Sequence, residues 1–389
     1  MKLLLLLLFF TMLHFQSVGQ NAGTFMAEVK LDSLVKTVKE LTGEVSVIIN
    51  GINTKITSRA AYLGYTLAEE YLKQKLAGYH LEIQTQKYSI NGLNVLGIQK
   101  GIKHPEITYI VGAHHDAAHY FCADDNASGV AAVLETARIF SVKYFENTII
   151  YALWDEEEAG LWGSTHYAKQ AKANGQAIQG IINMDMLGYD SNNDRKFDIN
   201  VCNDPVSLRF ADTMVSLIKQ YKLALDPQII NPGNDDSDHA AFWKQGFLNA
   251  ISYGERFYTD DPNPSYHTEN DRINLFNIPY FVELSKLTVG LMASLATPIV
   301  TETDHKAAIP EISDARIYPN PTNGILTIEP GSENETQILV YDIYGRMISG
   351  TKSRNPSTTL DLSKNKQGIY LVTLKDEKNT LTKKVIKTD

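Results

Sequence analysis

Between about residues 81 and 295 the chain alternates short β-type runs with longer amphipathic stretches, which restricts its fold more than any other feature. The β-type runs cover residues 81–88, 95–99, 107–113 and 248–253, with two more beginning at Thr148 and Gly180. Helix-type periodicity covers residues 127–140, 205–221 and 279–295, with a further stretch beginning at Leu161. Alternation of this kind predicts an α/β fold, a mostly parallel mixed sheet sandwiched by helices. Ahead of it, Leu31, Leu34, Val35, Val38 and Leu41 fall on one helix face, and a second amphipathic stretch runs from about 58 to 76.

The texture changes after residue 300. Residues 301–313 are polar and aperiodic, as in a linker. From 314 to 389, β-type runs at 324–329, 337–344, 359–362, 368–374 and 382–387 alternate with Gly- and Asn-rich turns, which predicts a small all-β sandwich. At the other end, Met1-Lys2 is followed by an apolar run from Leu3 to Phe10, extended to Phe15, and then the small residues Ser17 and Gly19. That pattern predicts a signal peptide over residues 1–19, too short to span a membrane. A soluble, exported protein is expected, with residues 20–300 as its principal domain and no stable membrane insertion. The net charge of -9, with no Lys/Arg-rich block, argues against nucleic acid or anionic lipid as a partner. Cys122 and Cys202 are compatible with one disulfide or with two separate thiols.

In an open parallel sheet, ligands bind beyond the carboxyl ends of the strands. Three runs end there in metal-ligating residue types: His114-His115-Asp116, then Glu156-Glu157-Glu158 after Trp154-Asp155, then Asp185. A fourth group, Asp124-Asp125-Asn126, immediately precedes a helix, and Tyr266-His267 lies in a Pro/Asn-rich loop. Each alone has an ordinary explanation, such as a helix cap or a core histidine. Four of them at one sheet edge point to a metal centre. There a carboxylate can hold a cation while its neighbour moves a proton.

The series Gly-Ala-His-His-Asp, Asp-Asp-Asn-Ala-Ser-Gly, Glu-Glu-Ala-Gly-Leu-Trp-Gly-Ser, Asn-Met-Asp-Met-Leu-Gly, Ser-Asp-His-Ala-Ala-Phe-Trp and Tyr-His-Thr-Glu-Asn-Asp resembles the co-catalytic di-zinc aminopeptidases of the peptidase family M28 type. The resemblance spans residues 56–297 or so and implies removal of N-terminal residues from peptide substrates. It further implies two Zn2+ ions, one held by His114 and Asp185, the other by Glu158 and His267, with Asp125 bridging. Glu157 would be the general base, Asp116 would orient His114, and Tyr266 would stabilise an oxyanion or simply pack. Glu156 is left as a bystander, His115 and His119 are expected to be exposed, and Asp238 and His239 match a motif near the site. Three protein ligands per metal, with Asp125 shared, leave the open position that a catalytic zinc site needs.

The segments Ile317-Tyr318-Pro319-Asn320-Pro321, Val340-Tyr341-Asp342-Ile343-Tyr344-Gly345-Arg346, Gly368-Ile369-Tyr370-Leu371-Val372 and Lys384-Val385-Ile386-Lys387 resemble a type IX secretion sorting domain. That resemblance implies passage through periplasm and outer membrane on the type IX secretion machinery, then release or attachment at the cell surface. Rival readings are a glutaminyl cyclase or a carboxypeptidase/dipeptidase on the same fold, and a non-catalytic binding module. The intact Asp-Asp-Asn-Ala-Ser-Gly and Glu-Glu-x-Gly-Leu-x-Gly-Ser runs disfavour the cyclase.

Overall fold

The computed structural model describes residues 22–60, 65–299, 315–330, 335–342, 346–376 and 380–388. The expected signal peptide and linker lie outside the described residues. Two compact units divide between residues 299 and 300.

In the first unit, helix α1 (Leu31–Leu41) and a hairpin of β1 (Val47–Ile49) and β2 (Ile52–Thr54) precede α2 (Tyr65–Gly78). There follow β3 (Glu82–Lys87), β4 (Leu93–Gln99), β5 (His104–His114), α3 (Gly129–Phe140), β6 (Asn147–Trp154), α4 (Trp162–Ala173) and β7 (Ala177–Met184). The unit ends with β8 (Lys196–Val201), α5 (Pro205–Tyr221), β9 (Asp226–Ile230), α6 (His239–Lys244), β10 (Ala250–Gly254) and α7 (Ile278–Ala296). The last eight strands form one sheet in the order β3-β4-β6-β5-β7-β10-β8-β9. Pairs β6–β5, β5–β7, β7–β10 and β8–β9 are parallel, and the remaining three are antiparallel.

Successive residues of a strand face opposite sides, so β6 serves two cores at once. Ile149, Tyr151 and Leu153 join α1, α2, α3, α5 and α7, while Ile150, Ala152 and Trp154 join α4 and α6. Burial of every β6 residue explains why its sequence is continuously apolar rather than alternating. Among the described residues α7 alone is long and apolar enough to cross a membrane, and 61% of that stretch is buried inside this core. Its buried face is apolar, while Glu283 and Lys286 pair on the side left open.

Within this unit the structure differs from the sequence reading in four places. Helix α2 begins at Tyr65 rather than near residue 58: Ser58 bridges to Tyr120, and the Arg59 guanidinium is buried on four backbone carbonyls, which holds this stretch extended. The strands β8 and β9 were not anticipated, because Asp198 and Asn200 give β8 a polar face. The short hairpin β1–β2 and helix α6 were also missed.

The second unit holds β11 (Arg316–Tyr318), β12 (Ile325–Glu329), β13 (Thr336–Asp342), β14 (Met347–Ser353), β15 (Thr358–Asp361), β16 (Gly368–Lys375) and β17 (Thr380–Lys387). They form two antiparallel sheets, β11-β12-β15 and β14-β13-β16-β17. Leu326, Ile328 and Leu360 of one meet Ile338, Val340, Val372, Leu374 and Val385 of the other, making the sandwich core. Strands β11 and β14 escaped the sequence reading, the first for its shortness and the second because almost all of it is exposed and it lacks alternation.

Candidate metal centre

Strands β6, β5 and β7 lie side by side and parallel, with His114 of β5 in register with Trp154 of β6 and Gly112 with Asn183 of β7. Their carboxyl ends therefore deliver His114, the turn Glu156-Glu157-Glu158 and Asp185 to one edge. The tight turn Ala123–Ser128 brings in the buried Asp125, and the loop after β10 brings in His267. At the end of β10 a side chain on residue 254 would collide with the Asp185 carbonyl, so Gly254 is what allows this strand to approach.

The donors interlock around Asp125. His114 Nε2 lies 3.2 Å from Asp125 Oδ1 and 3.4 Å from Asp185 Oδ1. His267 Nε2 lies 3.1 Å from Asp125 Oδ2 and 2.9 Å from Glu158 Oε2. Two triads, His114-Asp125-Asp185 and Asp125-Glu158-His267, thus share one carboxylate, each through a different oxygen. Glu157 sits within the same reach of His114 and Glu158.

Backbone donors hold this arrangement. The Asp116 carboxylate accepts the N–H groups of Glu157 and Glu158 at 3.1 Å each and lies 3.4 Å from His114 Nδ1. Asp271 accepts the N–H groups of Asp124 and Asp125 at 3.0 Å. Asp155 accepts those of Leu93 and Glu156 at 2.8 and 3.0 Å. Four non-glycine residues beside the donors have left-handed backbones, Glu156, Leu161, Met186 and His267, with φ of 53, 61, 59 and 56°. Each costs on the order of 1–3 kcal/mol and persists only where its surroundings over-determine it.

Charge identifies what the donors suit. Burial and the charges of Asp185 and Asp238 push the Glu157 carboxyl well up. Burial and Asp125 push Glu158 up to about 7. Burial opposes charge on His267, yet Asp125 and Glu158 raise it to about 10. Asp125, which burial alone would raise, is drawn below the carboxylate range by His114 and His267. Carboxylates and imidazoles this close, with Asp185 Oδ1 and His267 Nε2 buried and without hydrogen-bonding partners, form a donor set that fits cations. The mixed His and carboxylate ligands suit zinc.

His115 is buried rather than exposed, with Nε2 3.4 Å from the Leu93 carbonyl and 4.0 Å from Asp155, because the β3–β4 hairpin folds over it. His119 is only partly exposed. Glu156 turns away from the donors toward Tyr88 on that hairpin. Tyr266 stacks on His267 with ring centroids 3.7 Å apart and lines the same cleft. Asp238 is buried with neither oxygen hydrogen-bonded, and its charge acts on Glu157. His239 has a structural place, with Nε2 2.8 Å from the Asn234 carbonyl and its ring against Trp243. Cys122 and Cys202 are both free. Sequence reasoning gave no role to Asp271, which stood in a motif without one, or to Arg59, which no local pattern distinguishes.

The model of peptidase family M28 matches residues 94–291, and that of a secretion system C-terminal sorting domain matches residues 316–388. A probable leucine aminopeptidase of Arthroderma otae is 31% identical over 204 residues, covering 49% of this chain and 54% of the relative. The chain therefore spans about half the length of such curated relatives. Among solved structures, Legionella pneumophila LapA superposes with a TM-score of 0.61 at 22% identity, over 72% of this chain and 76% of that one. Porphyromonas gingivalis glutaminyl cyclase does so with a TM-score of 0.54 at 16% identity, over 68% and 98%. These two likenesses establish the fold.

Proposed function

Since the chain belongs to peptidase family M28, we propose that it is a zinc-dependent aminopeptidase that removes the N-terminal residue of peptides. Its C-terminal sorting domain directs export by type IX secretion to the cell surface or extracellular space. The observation that carries the reading is the pair of triads sharing Asp125, with Glu157 beside both.

His114, Asp125 and Asp185 would hold one zinc, and Asp125, Glu158 and His267 the other. Zinc held there would supply Lewis acidity to polarise a scissile carbonyl and to acidify water. Glu157 accepts the water's proton at its carboxylate and passes it to the departing amine. Asp116 fixes both glutamates through their backbone N–H groups and turns the His114 ring toward the centre. Tyr266, held by its stack on His267, offers its hydroxyl to the developing oxyanion.

The test joins metal analysis to kinetics. Close to two zinc ions per chain are expected, with activity on aminoacyl 4-nitroanilides abolished by chelator and restored by zinc. Glu157→Gln is expected to lower kcat by ~10²–10⁴ with metal still bound. A fully active Glu157→Gln protein, or chelator-insensitive turnover, refutes the mechanism. Cyclisation of an N-terminal glutamine peptide without release of an amino acid would favour the cyclase instead.

A further inference from the structure

The donor cluster opens into a cleft of about 320 Å3 whose two ends differ in chemistry. One end is the cluster itself. The other is set by β8 and β10, whose antiparallel register places Asn200 opposite Ser252 and Asp198 opposite Gly254. Residues two apart on a strand share a face, so Asp198 and Asn200 both look into the cleft together with Ser252. The segment ahead of α6 adds Asn234 and Asp236 to this polar end. Met186, Leu161, Phe257 and Tyr258 add apolar surface to the same cleft. Among the described residues, no lysine or arginine lines the cleft.

The polar end carries net negative charge. Arg256 lies 2.8 Å from Asp198 but also holds Asp260 at 3.0 Å. Lys196 lies 2.7 Å from Asp194 and 3.9 Å from Asp260. Three carboxylates thus face two cations, and Asp236, exposed at the cleft, adds a further negative charge.

We propose that this end of the cleft selects peptides whose N-terminal residue is lysine or arginine, an inference that rests on the aminopeptidase reading. In an enzyme that cuts one residue from the amino end, the first side chain occupies the space beside the donors. A leucine-like side chain there leaves the charge of Asp236 unpaired and gains nothing from the excess of carboxylates, while Asp198 and Asn200 keep their bonds to Arg256 and the Asn234 N–H. A long cationic side chain lays its methylenes along Met186 and Phe257 and sets its head among Asn200, Asp198 and Asp236.

The experiment compares kcat/KM of the zinc-loaded full chain on lysyl, arginyl, leucyl and norleucyl 4-nitroanilides. Lysine and norleucine share a four-carbon stem, so their ratio isolates the ammonium group. The lysyl substrate is expected to lead the norleucyl one by about tenfold, chiefly through KM, and the lead should shrink as salt is raised. Asp236→Asn is expected to lower the lysyl-to-norleucyl ratio by about threefold or more, again through KM. Norleucyl or leucyl substrate cleaved as well as lysyl overturns the selectivity while leaving the aminopeptidase reading intact. Failure on all four substrates with zinc bound overturns both.

Discussion

Asp116→Asn tests whether the turn that carries Glu157 and Glu158 is held by a buried carboxylate. Asp116 is 2% exposed and spends its two oxygens on two separate backbone N–H groups, with His114 Nδ1 close by. Asparagine has nearly the same shape but keeps one acceptor. Its amide then meets either the Glu157 or the Glu158 N–H donor to donor. A hydrogen bond to a charged group is worth ~1.5–3 kcal/mol and an orphaned buried N–H costs ~1–3 kcal/mol, so roughly 2.5–6 kcal/mol is lost at this turn. The turn also carries the left-handed residues Glu156 and Leu161, whose N–H groups are held by the Asp155 carboxylate and the Glu157 carbonyl. We expect zinc affinity to fall ~10–100-fold in chelator competition, as for other residues that orient metal ligands. Displacement of Glu157 should lower kcat/KM by roughly 10². The unfolding transition of the metal-free catalytic unit should drop by roughly 5–15 °C. Wild-type zinc affinity together with wild-type turnover in Asp116→Asn would refute the positioning argument.

Three further outcomes follow from the same geometry. Glu156→Gln should change kcat/KM by less than about threefold in the nitroanilide assay, since Glu156 faces Tyr88 and is only partly buried. Arg59→Met should destabilise the protein by ~4 kcal/mol or more in urea titration, because the carbonyls of Leu41, His115, Phe121 and Cys122 lose their shared donor. Asp271 governs a pH dependence. Burial and the charge of Asp124 raise its carboxyl to about 7, against an ordinary value near ~3.9. A folded pKa above the unfolded one stabilises fully below the unfolded value and is lost as pH rises through the folded value. Metal-free protein should therefore lose ~2–4 kcal/mol between about pH 4 and pH 7.5 through this group. Asp271→Asn should flatten that slope in urea midpoints measured across the range, and an unchanged slope would exclude Asp271 as its source.

The residues that converge on the donor cluster were legible because strand ends have a place in the fold before any contact is known. Once β5, β6 and β7 are recognised as parallel neighbours, His114, Glu157, Glu158 and Asp185 must share an edge, whatever the helices do. Asp125 was legible for a related reason, as it stands between two of those strands and opens a helix. His267 had no such anchor in the periodicity and depended on the family resemblance.

What stayed hidden is the support beneath that edge, and the cause is sequence separation. Asp271 reaches Asp124 and Asp125 across 147 and 146 residues, and Arg59 reaches Cys122 across 63. A carboxylate that accepts backbone N–H groups looks the same in sequence as one facing solvent, because its partners carry no side-chain signature. The polar face of β8 was obscured in the same way: Asp198 and Asn200 weaken the strand pattern because they face a cleft. A strand whose hydrophobic alternation fails on one face, beside a sheet edge rich in metal-ligating residues, is thus a sign of a binding surface. Here the failure falls on the part of the cleft argued to choose the substrate.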